Sequence, residues 1–187
     1  MNKKANVTLI GMPGAGKSTI GIILAKYLSF GFIDTDVLIQ INHQKSLQQI
    51  MDETGYLNLR EIEENEIRKI NIEKHVIATG GSVVYSENAM QHLQSISAVV
   101  FLKVEYETLK KRIHNFKTRG IAKSNTQSFQ ELFDERQVLY HRYGEIIIDC
   151  GFQDQEVIAE EIILKFKDDG PVKKSADIHH RNFGHRE

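Results

Sequence analysis

Cysteine, proline and tryptophan are scarce or missing in this 187-residue chain, which has one cysteine, two prolines and no tryptophan. The single thiol, Cys150, excludes an internal disulfide bond and suits the reducing cytosol. At the end of an apolar run, a cysteine is more often a small buried hydrophobe than a reactive thiol. With 41% hydrophobic residues, the chain is long enough to bury a sizeable core in one domain.

A long hydrophobic run and an excess of charge are also missing. No apolar stretch approaches the roughly 20 residues that cross a bilayer, and no hydrophobic signal segment precedes the first predicted strand. The net charge is −1, so no overall basic field favours nucleic acid or a membrane surface. We expect a cytoplasmic protein that binds neither. No stretch is plainly a subunit interface, so a monomer is expected.

One stretch dominates what the sequence does contain. Residues 9–19 include the pattern G-x-x-x-x-G-K-[ST], formed by Gly11, Gly16, Lys17 and Ser18. An apolar run at 7–10 predicts a buried strand before it, and apolar residues at helical spacing predict a helix over 18–28. A glycine-rich turn that binds nothing is the alternative, but the full motif between strand and helix favours a phosphate-binding loop.

The chemistry of this loop indicates a nucleoside triphosphate and Mg²⁺ as ligands. Glycines let the backbone point its N–H groups at an anion, and the helix adds its positive end. The Lys17 ammonium group reaches the β- and γ-phosphates in such loops, and the Ser18 hydroxyl group binds Mg²⁺. The expected nucleotide-binding residues of the loop are Gly14, Ala15, Gly16, Lys17, Ser18 and Thr19.

Two aspartates follow the second predicted strand, which covers residues 30–33. In open α/β sheets ligands bind at the carboxyl ends of strands, so Asp34 and Asp36 should face the same crevice as the phosphate loop. An aspartate here can instead cap the next helix. Two carboxylates near a triphosphate favour metal binding or general-base catalysis.

Alternating apolar runs and helical patterns continue to residue 166. We expect a three-layer α/β/α fold around a five-stranded parallel sheet. Capping boxes at Ser46–Gln49 and Ser128–Glu131 predict two helix starts. The further strands are expected at 75–78, 98–104 and 145–149, and the further helices at 46–53, 57–72, 87–94, 105–114, 128–143 and 154–166.

Residues 110–123 carry six basic side chains and no acidic one. Together with Gly120 and a polar run, this composition predicts a mobile cationic lid at about 112–127, which would close on phosphate and exclude water. A solvated basic loop is the alternative. We expect a single P-loop domain over 1–167 and a disordered tail over 168–187, in which His179, His180 and His185 are solvated.

Arg60 lies at the start of the long predicted helix, and Gly80 and Gly81 follow the third strand. An acidic small substrate would require an arginine such as Arg60. Paired glycines at a strand end allow the backbone to approach a ligand closely, although an ordinary turn is equally compatible with them.

Together, in their order and spacing from about residue 5 to 166, these motifs resemble the shikimate kinase family, within the nucleoside-monophosphate-kinase-like branch of P-loop folds. The motifs that carry the resemblance are Gly-Met-Pro-Gly-Ala-Gly-Lys-Ser-Thr, Asp34-Thr-Asp36, Leu59-Arg60-Glu-Ile-Glu63, Thr79-Gly-Gly81, Arg112 and Arg119 around the lid, and Arg136-x-x-x-Tyr140.

The resemblance implies transfer of the γ-phosphate of ATP to a hydroxyl group of shikimate, within aromatic amino acid biosynthesis. Lys17 and Ser18 would hold the phosphates and Mg²⁺, and Asp34 would support the metal through water. Arg112 would lie against the adenine, and Arg119 would reach the phosphates across the closed lid.

At the acceptor end, the resemblance implies that Asp36 binds substrate hydroxyl groups and acts as the general base. Arg60 and Arg136 would clamp the substrate carboxylate, and backbone groups at Gly80 and Gly81 would fix the ring. The catalytic residues implied are thus Lys17, Asp36 and Arg119.

Two positions depart from the family's usual pattern. Ser82 stands where a third glycine is usual, and Arg119 is followed by Gly120-Ile-Ala instead of proline and leucine. Both lie where substrate or lid contacts are expected. They leave open a kinase that acts on another small hydroxylated acid. A nucleotide-binding regulatory module with little transfer activity is the third possibility, and the presence of Asp36, Arg60 and Arg136 speaks against it.

Overall fold

The computed structural model describes residues 4–112, 121–124 and 126–168. The described strands are β1 (Asn6–Ile10), β2 (Gly31–Asp34), β3 (His75–Ala78), β4 (Ser97–Lys103) and β5 (Ile146–Asp149). The described helices are α1 (Lys17–Leu28), α2 (Thr35–His43), α3 (Leu47–Arg68), α4 (Glu87–Ile96), α5 (Tyr106–Arg112), α6 (Phe129–Tyr143) and α7 (Gln155–Asp168), with a short 3₁₀ helix at Val83–Tyr85.

The five strands form one parallel sheet in the order β2-β3-β1-β4-β5. The central strand β1 is buried along its whole length and pairs with both β3 and β4. The chain leaves β1 toward β2 on one side and leaves β4 toward β5 on the other. This reversal creates a crevice at the carboxyl ends of β1 and β4, where ligands bind in open α/β sheets.

Helices cover both faces of the sheet. Right-handed crossovers from β1 to β2 and from β3 to β4 run in opposite directions, so α1 and α4 lie on opposite faces. Helix α7 packs beside α1, and α3 packs beside α4. The predicted three-layer arrangement and five-stranded sheet are confirmed.

Local capping explains where two helices begin. Ser46 and Ser128 each accept a hydrogen bond from the backbone of Gln49 or Glu131, whose side chain bonds back to the cap. Gly55 interrupts α3 at φ 84° and ψ 162°, which separates the two helices predicted on either side of it. The second ends at Arg68 and not at residue 72, because the chain must turn into β3.

None of the described helices combines the length and the apolar character needed to span a membrane.

Candidate active site

A cavity of about 810 Å³ lies along the carboxyl edge of the sheet. Its wall combines the loop after β1, the start of α2, the middle of α3, the turn after β3, and parts of α6 and α7. At least six separate stretches of sequence therefore meet there. Most of the predicted site residues line this one cavity: Gly14, Ala15, Gly16, Lys17, Ser18, Thr19, Asp36, Gly80, Gly81, Arg112 and Arg136.

The loop after β1 has the backbone shape that an anion site requires. Gly14 and Gly16 have left-handed φ angles of 84° and 96°, which glycine adopts without strain. A methyl group on Gly11 would stand 2.8 Å from the carbonyl oxygen of Leu102. Helix α1 starts at Lys17 with no side-chain cap and no acidic residue in its first turn. Its positive end is therefore available to phosphate.

The Lys17 side chain folds back over this loop. Its Nζ atom donates hydrogen bonds to the carbonyl oxygens of Gly11 at 2.8 Å and Met12 at 3.0 Å. Burial lowers the pKa of Lys17 to about 8, and the negative charge of Asp36 opposes that change. The ammonium group is therefore still mostly protonated at pH 7, at the position from which it can meet a bound phosphate.

Asp34 links the phosphate loop to α2. One carboxylate oxygen accepts from the Ser18 hydroxyl group at 2.5 Å, and the other caps α2 by accepting from the backbone N–H of Asp36 at 3.0 Å. Helix capping, the alternative considered for this aspartate pair, is thus what Asp34 does, while Asp36 lies in the first turn.

The donor set at Ser18 and Asp34 fits magnesium. Both side chains present hard oxygen atoms, and Mg²⁺ usually takes one or two protein ligands beside phosphates and water. Across residues 4–112, 121–124 and 126–168, no three His, Cys, Asp or Glu side chains cluster as a metal site. A magnesium ion would therefore depend on the nucleotide for much of its coordination.

Two carboxyl groups converge on Gly80. A methyl group built there would stand 2.2 Å from Oε1 of Glu63 and 2.7 Å from Oδ1 of Asp36, so any side chain at this position would displace these carboxyl groups. Burial and the neighbouring Asp34 raise the pKa of Asp36 to about 6. Burial is the main cause that raises the pKa of Glu63 to about 7, and the negative charge of Asp36 adds to that rise.

Glu63 is the main site residue that the sequence interpretation did not single out. Only 3% of its surface is exposed, and Oε1 has no hydrogen-bond partner among the described residues. The sequence signal for Glu63 is its place in the Leu59-Arg60-Glu-Ile-Glu63 motif. Position 63 lies one helical turn beyond Arg60, so both side chains are expected on the same face of the helix. Ionising such a group inside the protein opposes folding.

We therefore expect Glu63→Gln to change the pH dependence of stability. The folded-state pKa is raised, so the wild-type penalty is small near pH 5, grows as pH rises, and is complete above about 7. Relative to wild type, the variant should gain about 2 kcal/mol in unfolding free energy between pH 5 and pH 8. Denaturant unfolding at both pH values measures this.

The control for this substitution is Glu61→Gln, an exposed glutamate on the same helix. The unfolding free energy of Glu61→Gln should differ from that of wild type by the same amount at both pH values. If the unfolding free energy of Glu63→Gln also differed from wild type by the same amount at both pH values, ionisation of the buried Glu63 would not lower stability as proposed.

The two predicted clamp arginines come together at Ala122, where Arg136 lines the main cavity and Arg60 lies beside it. Arg60 and Arg136 both donate to the carbonyl oxygen of Ala122, at 3.3 Å and 2.9 Å. Arg136 is 1% exposed, and neither Nε atom has a hydrogen-bond partner among the described residues. The guanidinium group of Arg60 lies 3.6 Å from the centre of the Tyr85 ring, a contact that the sequence interpretation did not identify.

Arg60 itself lines two hollows of about 480 Å³ and 270 Å³ beside the main cavity. Ile121 and Ala122, both buried, line the main cavity instead. The Ala122 carbonyl group thus lies where the two guanidinium groups meet. A carbonyl oxygen held by two arginines marks a position suited to a carboxylate oxygen.

Arg112, which also lines the main cavity, is exposed and donates to the carbonyl oxygen of Gly151 at 3.0 Å. Arg119 and Gly120 lie outside the described residues, as does much of the predicted lid at 112–127. The predicted tail also lies outside them, apart from Asp168 at the end of α7. The lid and Arg119 therefore stay predictions.

Comparison with known proteins points to one family. The family model described as shikimate kinase matches residues 13–167. A shikimate kinase of Sulfurihydrogenibium sp. (strain YO3AOP1) is 34% identical over 163 residues, which cover 87% of this chain and 98% of that protein. One from Clostridium botulinum (strain ATCC 19397 / Type A) is 35% identical over 167 residues, covering 87% and 98%.

Solved structures agree in fold. The shikimate kinase of Acinetobacter baumannii in complex with shikimate has a TM-score of 0.84 at 24% identity, covering 90% of this chain and 96% of that one. The shikimate kinase of Aquifex aeolicus has a TM-score of 0.76 at 27% identity, covering 88% and 97%.

Proposed function

Since the chain belongs to the shikimate kinase family, we propose that it transfers the γ-phosphate of ATP to a hydroxyl group of shikimate, giving the 3-phosphate. One observation carries the proposal beyond the family. The phosphate loop and the buried Arg136 line the same cavity, and Asp36 lines it too. A triphosphate on the loop and a carboxylate near Arg136 would share that cavity with the Asp36 carboxylate.

The proposed roles follow from what phosphoryl transfer needs. The reaction depends on alignment and on cations around the transferred group, because the enzyme forms few bonds itself. Lys17 and the N-terminus of α1 would stabilise the phosphate charge, and Arg119 would add to it. When bound, Mg²⁺ would neutralise charge on the β- and γ-phosphates, held by the Ser18 hydroxyl group directly and by Asp34 through water.

Asp36 would accept the proton of the attacking hydroxyl group, or at least orient that oxygen. Its side chain lies close to Gly80, where the missing side chain leaves room for the carboxyl groups of Asp36 and Glu63 at the acceptor half of the cavity. Arg60 and Arg136 would bind the carboxylate in place of the Ala122 carbonyl oxygen. Two arginines suit this task because each guanidinium group offers a planar pair of donors to a carboxylate.

Arg60→Lys tests the carboxylate clamp. A lysine ammonium group cannot form the planar fork or stack flat on Tyr85. We expect KM for shikimate to rise about 10–100-fold with kcat changed little, since the contact is made before and during transfer alike. Steady-state kinetics at saturating ATP measures both.

Arg142→Lys is the matched control, because Arg142 also lies over a tyrosine ring, that of Tyr143, but outside the cavity. It should leave KM unchanged. An unchanged KM in Arg60→Lys as well would remove Arg60 from the clamp.

The direct test is a coupled assay of ADP release with ATP, Mg²⁺ and shikimate, run beside a panel of other small hydroxy acids. Shikimate-dependent turnover of about 1–10³ s⁻¹ is expected. Turnover with another acid alone would favour the paralogue that Ser82 and Gly120 leave open. ATP binding without turnover on any acid would favour the regulatory module. A monomeric state and a cytoplasmic location stay predictions.

A further inference from the structure

The turn after Gly81 places a serine against the acceptor half of the cavity. Ser82 is 9% exposed, and its hydroxyl group donates to Oε2 of Glu63 at 2.5 Å. Its backbone lies at φ −94° and ψ −8°, a right-handed conformation that any residue adopts. A serine in place of a third glycine is therefore unstrained, and it adds a hydrogen-bond donor that glycine lacks.

This bond occupies one carboxyl oxygen of Glu63 and leaves the other one free. Oε1 is buried and unpartnered among the described residues, and it lies beside Oδ1 of Asp36 at Gly80. Both Glu63 and Asp36 line the cavity. A buried acceptor without a donor lowers stability, so its presence here indicates a ligand that supplies the donor.

We propose that Ser82 is a positioning residue: by holding Oε2 of Glu63, it directs Oε1 to a second hydroxyl group of the acid, next to the one that Asp36 orients. The inference rests on the proposed function, because the acid is that reaction's acceptor. Glu63 accepts the second hydroxyl group's hydrogen bond, which leaves Asp36 free for the attacking oxygen. The pair thereby favours acids with neighbouring hydroxyl groups.

The same bond favours the ionised, accepting form of Glu63. Lys17, Asp36 and Arg136 face Glu63 from α1, α2 and α6. Burial and Asp36 raise the pKa of Glu63, whereas the Ser82 hydroxyl group, Arg136 and Lys17 lower it. A hydroxyl donor stabilises the ionised carboxylate, so its removal should leave more of Glu63 protonated at neutral pH.

Ser82→Ala tests this arrangement. We expect KM for shikimate to rise roughly tenfold at pH 7, with KM for ATP unchanged. The acidic limb of kcat/KM for shikimate should move to higher pH, because Glu63 must lose its proton without the hydroxyl donor. Ser82→Thr, which restores a hydroxyl group at the same position, should return both KM and the pH profile toward wild type.

Ser86→Ala is a matched control. The Ser86 hydroxyl group makes the equivalent bond to the adjacent glutamate of α3, Glu64, at 2.7 Å and also caps α4. Its loss should lower stability without changing KM or the pH profile. An unshifted limb and an unchanged KM in Ser82→Ala, or the same kinetic changes in Ser86→Ala, would overturn the role of Ser82.

Direct titration of Glu63 separates this inference from the proposed function. The ¹³C carboxyl signal, assigned by its loss in Glu63→Gln, is followed with pH in wild type and Ser82→Ala without substrate. A raised midpoint in Ser82→Ala supports the positioning bond, even if wild type fails to turn over shikimate, which would overturn only the proposed reaction. An unchanged midpoint overturns the Ser82 proposal whatever the substrate is.

Discussion

Asp36→Asn is expected to lower kcat for shikimate phosphorylation by about 10²–10⁴-fold, the usual contribution of a positioned proton acceptor. The amide keeps the size of the carboxyl group, so the cavity around Gly80 should keep its shape. It cannot take the proton of the attacking hydroxyl group. It also removes the negative charge that faces Lys17 across the cavity.

Nucleotide binding should separate this effect from a folding defect. Asp36 caps no helix, whereas the neighbouring Asp34 holds both the Ser18 hydroxyl group and the start of α2. We therefore expect the Kd for ATP, measured by calorimetry, to stay close to the wild-type value. Asp52→Asn, an exposed aspartate on α3, serves as the control with normal turnover.

Normal turnover in Asp36→Asn would show that the acceptor hydroxyl group does not lie against this carboxylate. Glu63 would then be the next group to test, because its free oxygen lies at the same glycine.

Most of the fold could be predicted because local patterns and tertiary packing agree. The central strands are buried on both faces and appear as unbroken apolar runs, as 7–10 and 98–104 do. Capping boxes at Ser46 and Ser128 specify helix starts within a few residues of sequence. The end of α3 was missed because it depends on where the next strand begins.

The phosphate half of the site was also predictable, since its residues are contiguous and their roles follow from one motif. The acceptor half was harder to predict. Glu63 reaches Asp36 only because Gly80 has no side chain, and a methyl group on Gly81 would stand 2.9 Å from Arg136. Contacts that form in the space left by a glycine produce no periodic pattern in the sequence, so they cannot be predicted from it.

Three further contacts required the assembled fold. Ser82 meets Glu63 across 19 positions, Ala122 meets Arg60 across 62, and Tyr85 stacks on Arg60 from the turn after β3. Each joins the long helix to a turn or loop whose sequence is unremarkable by itself. In the sequence alone, Ser82 is only a departure from the family's usual glycines, and its physical role depends on its partner, Glu63.

Lys17→Ala is the second large effect that we expect. Loss of the ammonium group should lower kcat by about 10³-fold, within the range for removing a preorganised donor or cation from a transition state. ATP binding should also weaken, because the same group meets the phosphates before transfer. Isothermal titration with ATP and single-turnover measurements separate the two losses.

Two further variants distinguish charge from packing. Lys17→Met keeps most of the buried side-chain volume without the charge, so it should be nearly as inactive as the alanine variant. Lys26→Ala removes an exposed lysine from the last turn of the same helix and should be fully active. Both results are expected if the reaction depends on the positive charge of Lys17 and not on its side-chain volume.

The wild-type geometry explains why the loss should be this large. In the protein described here, Lys17 is already held by the carbonyl oxygens of Gly11 and Met12, so little reorganisation precedes its contact with phosphate. Such preorganisation is what makes a buried cation effective in catalysis. Retained transfer in Lys17→Met would mean that the charge on the phosphates is neutralised elsewhere, and the role of the loop lysine would have to be abandoned.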